Sequence, residues 1–344
     1  MSAEATDPRD AAGLIEFYYE KGWSDGLPVV PPSEDSVGAM LAAGGVQGDE
    51  VVGVVSTRNT RVTADKVAIN AVNAGCLPEY MPVVLSAVRG LTDPRFAYHG
   101  IATSTGGASV VIIVNGPITR QLGINGEDNA FGPGFRPNVT IGRALRLLMM
   151  NAINTRPGKL DRSTLGNPGK ISFCFAENEA GSPWEPLHVE RGLKPEQSAT
   201  TLFAADGVYQ TYNQLSATPE PLLYGMADAI ANLGARAIVG QPDAVIVFGA
   251  EHVKVLRDNG WSKQQVKQCL FEHARQSVAE LKKAGRLPGG IEPGDEQAWQ
   301  HVVKEPEDFI VVCAGGRVGN WSACLSGWGS RQGSRAVTTP VEVS

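Results

Sequence analysis

The sequence has few cysteines, no block of basic residues and no long apolar run, and each absence excludes a class of protein. Five cysteines, an odd number without a Cys-x-x-Cys pair, are typical of reduced thiols rather than of a disulfide framework. A formal net charge of −6 argues against nucleic acid as the main partner. No apolar run reaches membrane-spanning length, and the first residues are acidic rather than a basic leader. We therefore expect a cytoplasmic protein that binds neither nucleic acid nor a membrane.

The composition is that of a chain able to bury a large core. Hydrophobic residues make up 42% and charged residues 19% of the 344 residues, which allows two lobes or one large domain. The 40 glycines and 22 prolines cluster in loops and not in repeats. This distribution favours tight turns around a ligand over disorder.

The hydrophobic pattern predicts an α/β fold, a mixed sheet with flanking helices. Apolar runs predict strands at 50–55, 109–114, 198–204, 244–248 and 309–313. Amphipathic spacing predicts helices at 10–21, 33–43, 141–153, 219–233 and 263–283. We expect N-terminal helices and a loop over 1–60, an α/β catalytic domain over 61–329 and a flexible tail over 330–344.

One internal similarity bears on the architecture. Residues 110–126 align without gaps to residues 244–260, and both segments read as a strand followed by a turn and a helix. Any two strand-turn-helix units can match in this way by chance. The alternative is a duplicated helix–strand–helix unit, with repeats over about 62–160 and 200–329 and ligand loops near a pseudo-twofold axis.

The segment 170–192 concentrates polar side chains directly after a strand-like run. It carries the residues Glu177, Glu179, Trp184, Glu185, His188, Glu190 and Arg191. Two prolines and two glycines keep the segment irregular, which predicts a site at the strand end. Three chemistries are open here. Glu177, Glu185 and His188 are candidates for general acid–base catalysis, Glu177, Glu179 and His188 for ligands of a divalent metal, and the whole segment for a salt-bridge loop with Arg191. Crowded carboxylates raise one another's pKa, so without a metal at least one glutamate should stay protonated near neutral pH.

Cys76 is the candidate nucleophile. It lies just before Pro78, where a predicted helix begins, and the positive end of the helix dipole would favour a thiolate. Glu79 lies within one turn and is a candidate proton shuttle. The alternative is that Cys76 is a small apolar residue closing a helix corner.

Three glycine-rich turns, at 103–107, 131–136 and 315–317, suggest an anionic ligand, because two of them end in arginine. Neither a dinucleotide fingerprint nor a P-loop is present, so no nucleotide cofactor is expected. We expect five irregular loops to converge on one pocket. The candidate substrate-binding residues are Trp23, Asp25, Asn115, Arg136, Asn138, Arg143, Trp184 and Arg317.

Long motifs carry a family resemblance. GWSDGLPVVPP at 22–32, NAGCLPEYMPVV at 73–84, FGPGFRPNVTIGRALRL at 131–147 and ENEAGSPWEPLHVERG at 177–192 resemble a bacterial family of little biochemical characterisation. Its members are associated with UGSC-type modules, which are thiol-redox modules with a selenocysteine- or cysteine-Gly-Ser-Cys motif. The resemblance implies a link to thiol chemistry and a thiol-redox protein as a partner.

These observations predict an enzyme, an oxidoreductase or a lyase, that forms a homo-oligomer and acts on a small polar, anionic molecule through Cys76 and the acidic cluster. The alternatives are a metal-dependent hydrolase or lyase that uses Glu177, Glu185 and His188, and a non-catalytic substrate-binding subunit of a thiol-redox system.

Overall fold

The computed structural model describes residues 8–234 and 236–342. The helices are α1 (Pro8–Glu20), α2 (Glu34–Gly44), α3 (Ala64–Ala74), α4 (Met81–Thr92), α5 (Tyr98–Thr103), α6 (Ile118–Leu122), α7 (Arg136–Asn151), α8 (Leu187–Glu190), α9 (Pro219–Asn232), α10 (Ala237–Gly240), α11 (Ala250–Asp258), α12 (Lys263–His273) and α13 (Val278–Lys283). The strands are β1 (Val51–Val55), β2 (Thr60–Thr63), β3 (Ser109–Asn115), β4 (Cys174–Ala176), β5 (Ser198–Tyr212), β6 (Ala244–Phe248), β7 (Arg275–Ser277), β8 (Trp299–His301), β9 (Phe309–Cys313), β10 (Trp321–Gly327) and β11 (Val337–Val341).

A mixed sheet forms the centre of the molecule, which confirms the predicted α/β class. Its strand order is β4-β3-β5-β10-β6-β9, and β11 also pairs with β5. The outer pairs β3/β4 and β6/β9 are parallel, while β5 and β10 run antiparallel to their neighbours. The sheet is curled, and its two edges meet at one hydrogen bond. The Asn178 N–H after β4 donates to the Cys313 carbonyl of β9 at 2.7 Å.

Alternation along the strands separates the core into three parts. Side chains such as Ile113, Phe175 and Val247 fill the inside of the curled sheet. The opposite faces of β3, β4 and β5 pack against α2 to α7, and those of β6, β9 and β10 against α9 to α13. Each half of the sheet therefore has its own helical cover, and the loops at the strand ends are left to form clefts.

The two halves have matching topology. β3 and β6 each lie between a central antiparallel strand and an outer parallel strand, and each leads into a helix, α6 or α11. The hydrogen bonds match as well, since Glu177 N–H donates to the Val114 carbonyl and Ala314 N–H to the Phe248 carbonyl, both at 3.1 Å. This arrangement agrees with a duplicated unit, which itself stays a prediction.

Three predictions about elements are wrong. The helix over 263–283 is interrupted after His273 by β7, because that segment pairs antiparallel with β8. The tail predicted to be flexible contains β11, whose residues pair with the first half of β5. The predicted boundary at residue 60 falls inside the β1–β2 hairpin. Across the described ranges, no helix has the length and apolar character that crossing a membrane requires.

Candidate functional site

The candidate site lies where the parallel strands β3 and β4 end. Asn115 is the last residue of β3, and Glu177 follows β4 directly. Because parallel strands end at the same edge of a sheet, the register that pairs Val114 with Ala176 also places these two polar side chains together. The sequence analysis expects a site after this strand, and Glu177 is the first of its candidate residues there.

Glu177 is a buried carboxyl held by two donors. Its Oε2 accepts a hydrogen bond of 2.6 Å from Asn115 Nδ2 and one of 2.8 Å from the backbone N–H of Leu187, at the start of α8. Burial raises the pKa of Glu177 to about 7, although the charge of Lys263 and the two donors oppose the rise. The neighbouring Glu179 carboxylate adds to the rise. The raised pKa of Glu177 comes mainly from burial, whereas the sequence analysis expected it from crowded carboxylates.

Glu179 lies beside Glu177 and shares a donor with it. Its Oε1 accepts from Asn115 Nδ2 at 3.1 Å and from the backbone N–H of Gly116 at 2.6 Å. Gly116 has a φ of +87°, and a Cβ at this position would overlap the carbonyl oxygen of Gln197. Only glycine therefore fits this turn, which aims its N–H at the Glu179 carboxylate.

His188 is the third side chain of the cluster and lies next to Glu179. Its side chain is fully buried, and its Nδ1 lies 3.8 Å from Glu179 Oε1. Four buried atoms in this cluster have no hydrogen-bond partner among the residues that the structure describes: Asn115 Oδ1, Glu177 Oε1, and Nδ1 and Nε2 of His188. Leaving a buried polar atom unpaired costs about 1–3 kcal/mol. Several such atoms in one place mark a site whose partners come from outside the protein chain.

A cleft of about 320 Å³ lies beside the two carboxyl groups. Glu177 and Glu179 line it together with Arg120, Asn125 and Phe135. Asn138, predicted to bind substrate, instead fixes one wall of this cleft. Its Oδ1 accepts from the Asn125 N–H at 2.8 Å and its Nδ2 donates to the Asn125 carbonyl at 2.9 Å.

Lys263 is the component that the sequence analysis missed. Its Nζ donates to the Glu185 carbonyl at 2.8 Å and to Glu190 Oε2 at 2.7 Å. Lys267, one turn further along α12, also pairs with Glu190. Glu190 belongs to the segment 170–192 singled out in the sequence, but nothing in the sequence links it to lysines more than 70 positions away. Among the groups that lower the pKa of Glu177 against the effect of burial, the Lys263 charge is the strongest.

The metal-binding alternative stays a prediction. Within residues 8–234 and 236–342, no three His, Cys, Asp or Glu side chains are arranged so that they could hold a metal ion. In the predicted set, the Glu177 and Glu179 carboxylates are bound to amide N–H groups, and His188 is 3.8 Å from the nearer one.

The prediction that the pKa of Cys76 is lowered is wrong. Cys76 lies in the apolar core, and burial raises its pKa to about 12. Its neighbours include Thr140 and Cys174. The segment from Pro78 is a short 3-10 turn, and Glu79 is exposed beside it. The packing alternative therefore fits the structure of this residue.

Four other predicted residues have partners inside the protein. Asp25 and Arg143 bind each other through two hydrogen bonds of 2.8 and 2.9 Å. Arg136 donates twice to the Gly75 carbonyl. Trp184 Nε1 donates to the Trp261 carbonyl, and its ring packs on Phe248.

The remaining candidates are exposed. Glu185 and Arg317 both lie in loops with solvent-facing side chains. Trp23 is 44% exposed.

The predicted loops do not share one pocket. Phe131, Gly132, Gly316 and Trp321 line a cleft of about 490 Å³. Glu177 lines the separate cleft described above, and Trp23 a third. The expectation of a single shared pocket is therefore wrong.

Comparison with models of known protein families gives no match, and comparison with curated proteins finds no similar one. The resemblance described from the motifs stays a prediction.

Proposed function

We propose that the protein is an enzyme that transfers protons to and from a small polar molecule bound in the cleft of Glu177 and Glu179. The observation that carries this proposal is the pair of carboxyl groups that share the Asn115 amide at the cleft wall. One of them, Glu177, has a pKa raised to about 7. Two carboxyl groups in unlike environments are the usual means of dividing acid and base roles.

In the proposed reaction Glu177 is the proton donor. A carboxyl with a pKa near neutral pH is protonated in a large fraction of molecules and still gives up its proton readily. The unpartnered Oε1 of Glu177 is the atom left for the substrate, since Oε2 is engaged by Asn115 and Leu187.

Glu179 is the proposed proton acceptor. Its side chain is one quarter exposed and lines the cleft, so a substrate reaches it directly. Glu179 takes a proton from the substrate as Glu177 delivers one. Glu179 becomes neutral and Glu177 becomes charged, so the net charge of the pair does not change. His188, behind Glu179, is a positioning residue in this scheme. The same scheme serves an elimination or an isomerisation, which places the protein among lyases or isomerases rather than thiol-dependent enzymes.

A proton-transfer assay tests the proposal. The purified protein is incubated with a mixture of small polar metabolites in D₂O, and mass spectrometry follows deuterium uptake and product formation. The expected result is a wild-type activity that Glu177→Gln lowers by about 10²-fold or more, the usual contribution of general acid catalysis. Glu185→Gln is the matched control, because Glu185 belongs to the same segment but is exposed.

Full activity in Glu177→Gln would contradict the proposal. Binding of a metabolite without any turnover or deuterium uptake would favour the non-catalytic substrate-binding subunit.

A further inference from the structure

The cleft lined by Trp23 shares no lining residue with the cleft of the carboxyl pair and has its own polar lining. It has a volume of about 470 Å³ and lies between α3, the end of α7 and the loop after α1. One face of α3 lines it at helical spacing with Lys66, Ile69, Asn70 and Asn73. We name it the asparagine cleft, because Asn151 of α7 adds a third asparagine to its wall.

Asn73 presents an unsatisfied acceptor in this cleft. The residue is only 4% exposed, and within 8–234 and 236–342 its Oδ1 has no hydrogen-bond partner. The other two asparagines are occupied, since Asn151 Nδ2 donates to Asn70 Oδ1 at 2.9 Å and to the Trp23 carbonyl at 3.0 Å. A ligand that satisfies Asn73 must therefore bring an N–H or O–H donor.

The charge of the lining is positive. Lys66 and Arg156 line the asparagine cleft, and no Asp or Glu is among its described lining residues. Arg156 is held in place, because it donates to the Gly22 carbonyl and to Asn151 Oδ1. In a chain of net charge −6, two cations without a carboxylate favour an anionic ligand.

Aromatic rings form the remaining wall. Tyr18 and Trp23 line the asparagine cleft and pack edge to face, with ring centroids 5.7 Å apart. Trp23 keeps 44% of its surface exposed, so part of its ring is open to a ligand. An indole ring offers a planar surface on which another ring can stack.

We propose that the asparagine cleft binds a small acid with a planar ring and an N–H or O–H donor on that ring. The ring lies against Trp23, the acid group lies near Lys66 and Arg156, and the donor reaches Asn73 Oδ1. This site is independent of the proton-transfer site, because none of its lining residues belongs to the carboxyl cluster.

Calorimetric titration of the full chain with 4-hydroxybenzoate tests this proposal, since that probe has the ring, the acid and the donor. Benzoate lacks the donor and should bind about tenfold more weakly, because Asn73 then stays unpaired. Phenol lacks the acid and should also bind more weakly. Indole-3-carboxylate, with an N–H donor, is the second complete probe.

Two variants assign the contacts. Lys66→Gln, at an exposed position, should weaken 4-hydroxybenzoate binding severalfold and reduce its salt dependence. Lys283→Gln, at another exposed lysine, should leave binding unchanged. Asn73→Leu should make benzoate and 4-hydroxybenzoate bind equally. If that variant does not fold, the comparison of the two probes on the wild-type chain still decides the role of the donor.

The proposal is overturned if neither complete probe binds at concentrations up to about 10 mM, a limit that corresponds to negligible affinity. Equal affinities of benzoate and 4-hydroxybenzoate for the wild-type chain, or unchanged binding in Lys66→Gln, would overturn it as well.

Discussion

The Asp25 carboxylate and the Arg143 guanidinium form a bidentate ion pair across 118 residues of sequence, with distances of 2.8 and 2.9 Å. Both side chains are nearly buried, at 7% and 10% exposure. Burial alone would raise the pKa of Asp25, but the Arg143 guanidinium outweighs it and holds that pKa below its ordinary value. The pair ties the loop after α1 to the middle of α7.

Breaking this pair should destabilise the fold. Arg143→Met leaves the Asp25 charge buried without its partner, and we expect a loss of about 3–5 kcal/mol in the free energy of unfolding. Denaturant titration at neutral pH measures it. The control is Asp258→Asn, which breaks an exposed pair with Lys254 and should cause no measurable change. A small effect of Arg143→Met would show that water reaches Asp25.

The stability of the protein should depend on Glu177 in a defined pH window. Its pKa is about 7 in the folded state against an ordinary value of 4.5, so between these values the folded state keeps a proton that the unfolded state loses. Stability therefore falls as pH rises from about 4.5 to 7. We expect Glu177→Gln to remove this fall and to exceed the wild type by up to about 3 kcal/mol at pH 8. Urea titrations at pH 4 and pH 8 measure the difference. Equal differences at both pH values would contradict the raised pKa.

Lys263 should set the alkaline limb of the pH–rate profile for the proposed reaction. A proton donor is active only while protonated, so the rate should fall as pH rises through about 7, the pKa of Glu177. Lys263→Met removes a charge that lowers this pKa and should move the limb to higher pH. Lys267→Met is the matched control, because Lys267 pairs with the same Glu190, while Lys263 is the lysine whose charge lowers the pKa of Glu177. A limb that moves equally in both variants would point to a general effect of the lost ion pairs.

Cys76 should resist alkylation in the folded protein. Burial raises its pKa to about 12, whereas Cys269 is only half buried. Iodoacetamide at pH 8, read by peptide mass spectrometry, should therefore modify Cys269 first, which reverses the order expected from the sequence. Cys76→Ser places a hydroxyl in the apolar core and should lower stability by about 1–2 kcal/mol without loss of activity. Rapid modification of Cys76, or an inactive but stable Cys76→Ser, would restore its role as nucleophile.

Local patterns in the sequence were enough for most of the scaffold. The apolar runs that became β3, β6 and β9 are buried on both faces of the sheet, so their strand character is visible without any knowledge of neighbours. β7 and β11 were missed because their strand pairing depends on distant partners, β8 and β5. A propensity-based prediction does not contain that information.

The sequence by itself also showed which segment carries the crowded carboxylates, because Glu177, Glu179 and Glu185 follow one another closely after an apolar run. Tertiary structure decided which of them meet. It joined Glu177 and Glu179 through Asn115, placed Lys263 beside them and left Glu185 exposed. It also turned Asp25 and Arg143 from candidate ligand contacts into an internal pair, and Cys76 into a core residue. Residue types and spacing specify the chemical groups, but burial and the distance between groups set their pKa values, and both arise only when remote segments pack together.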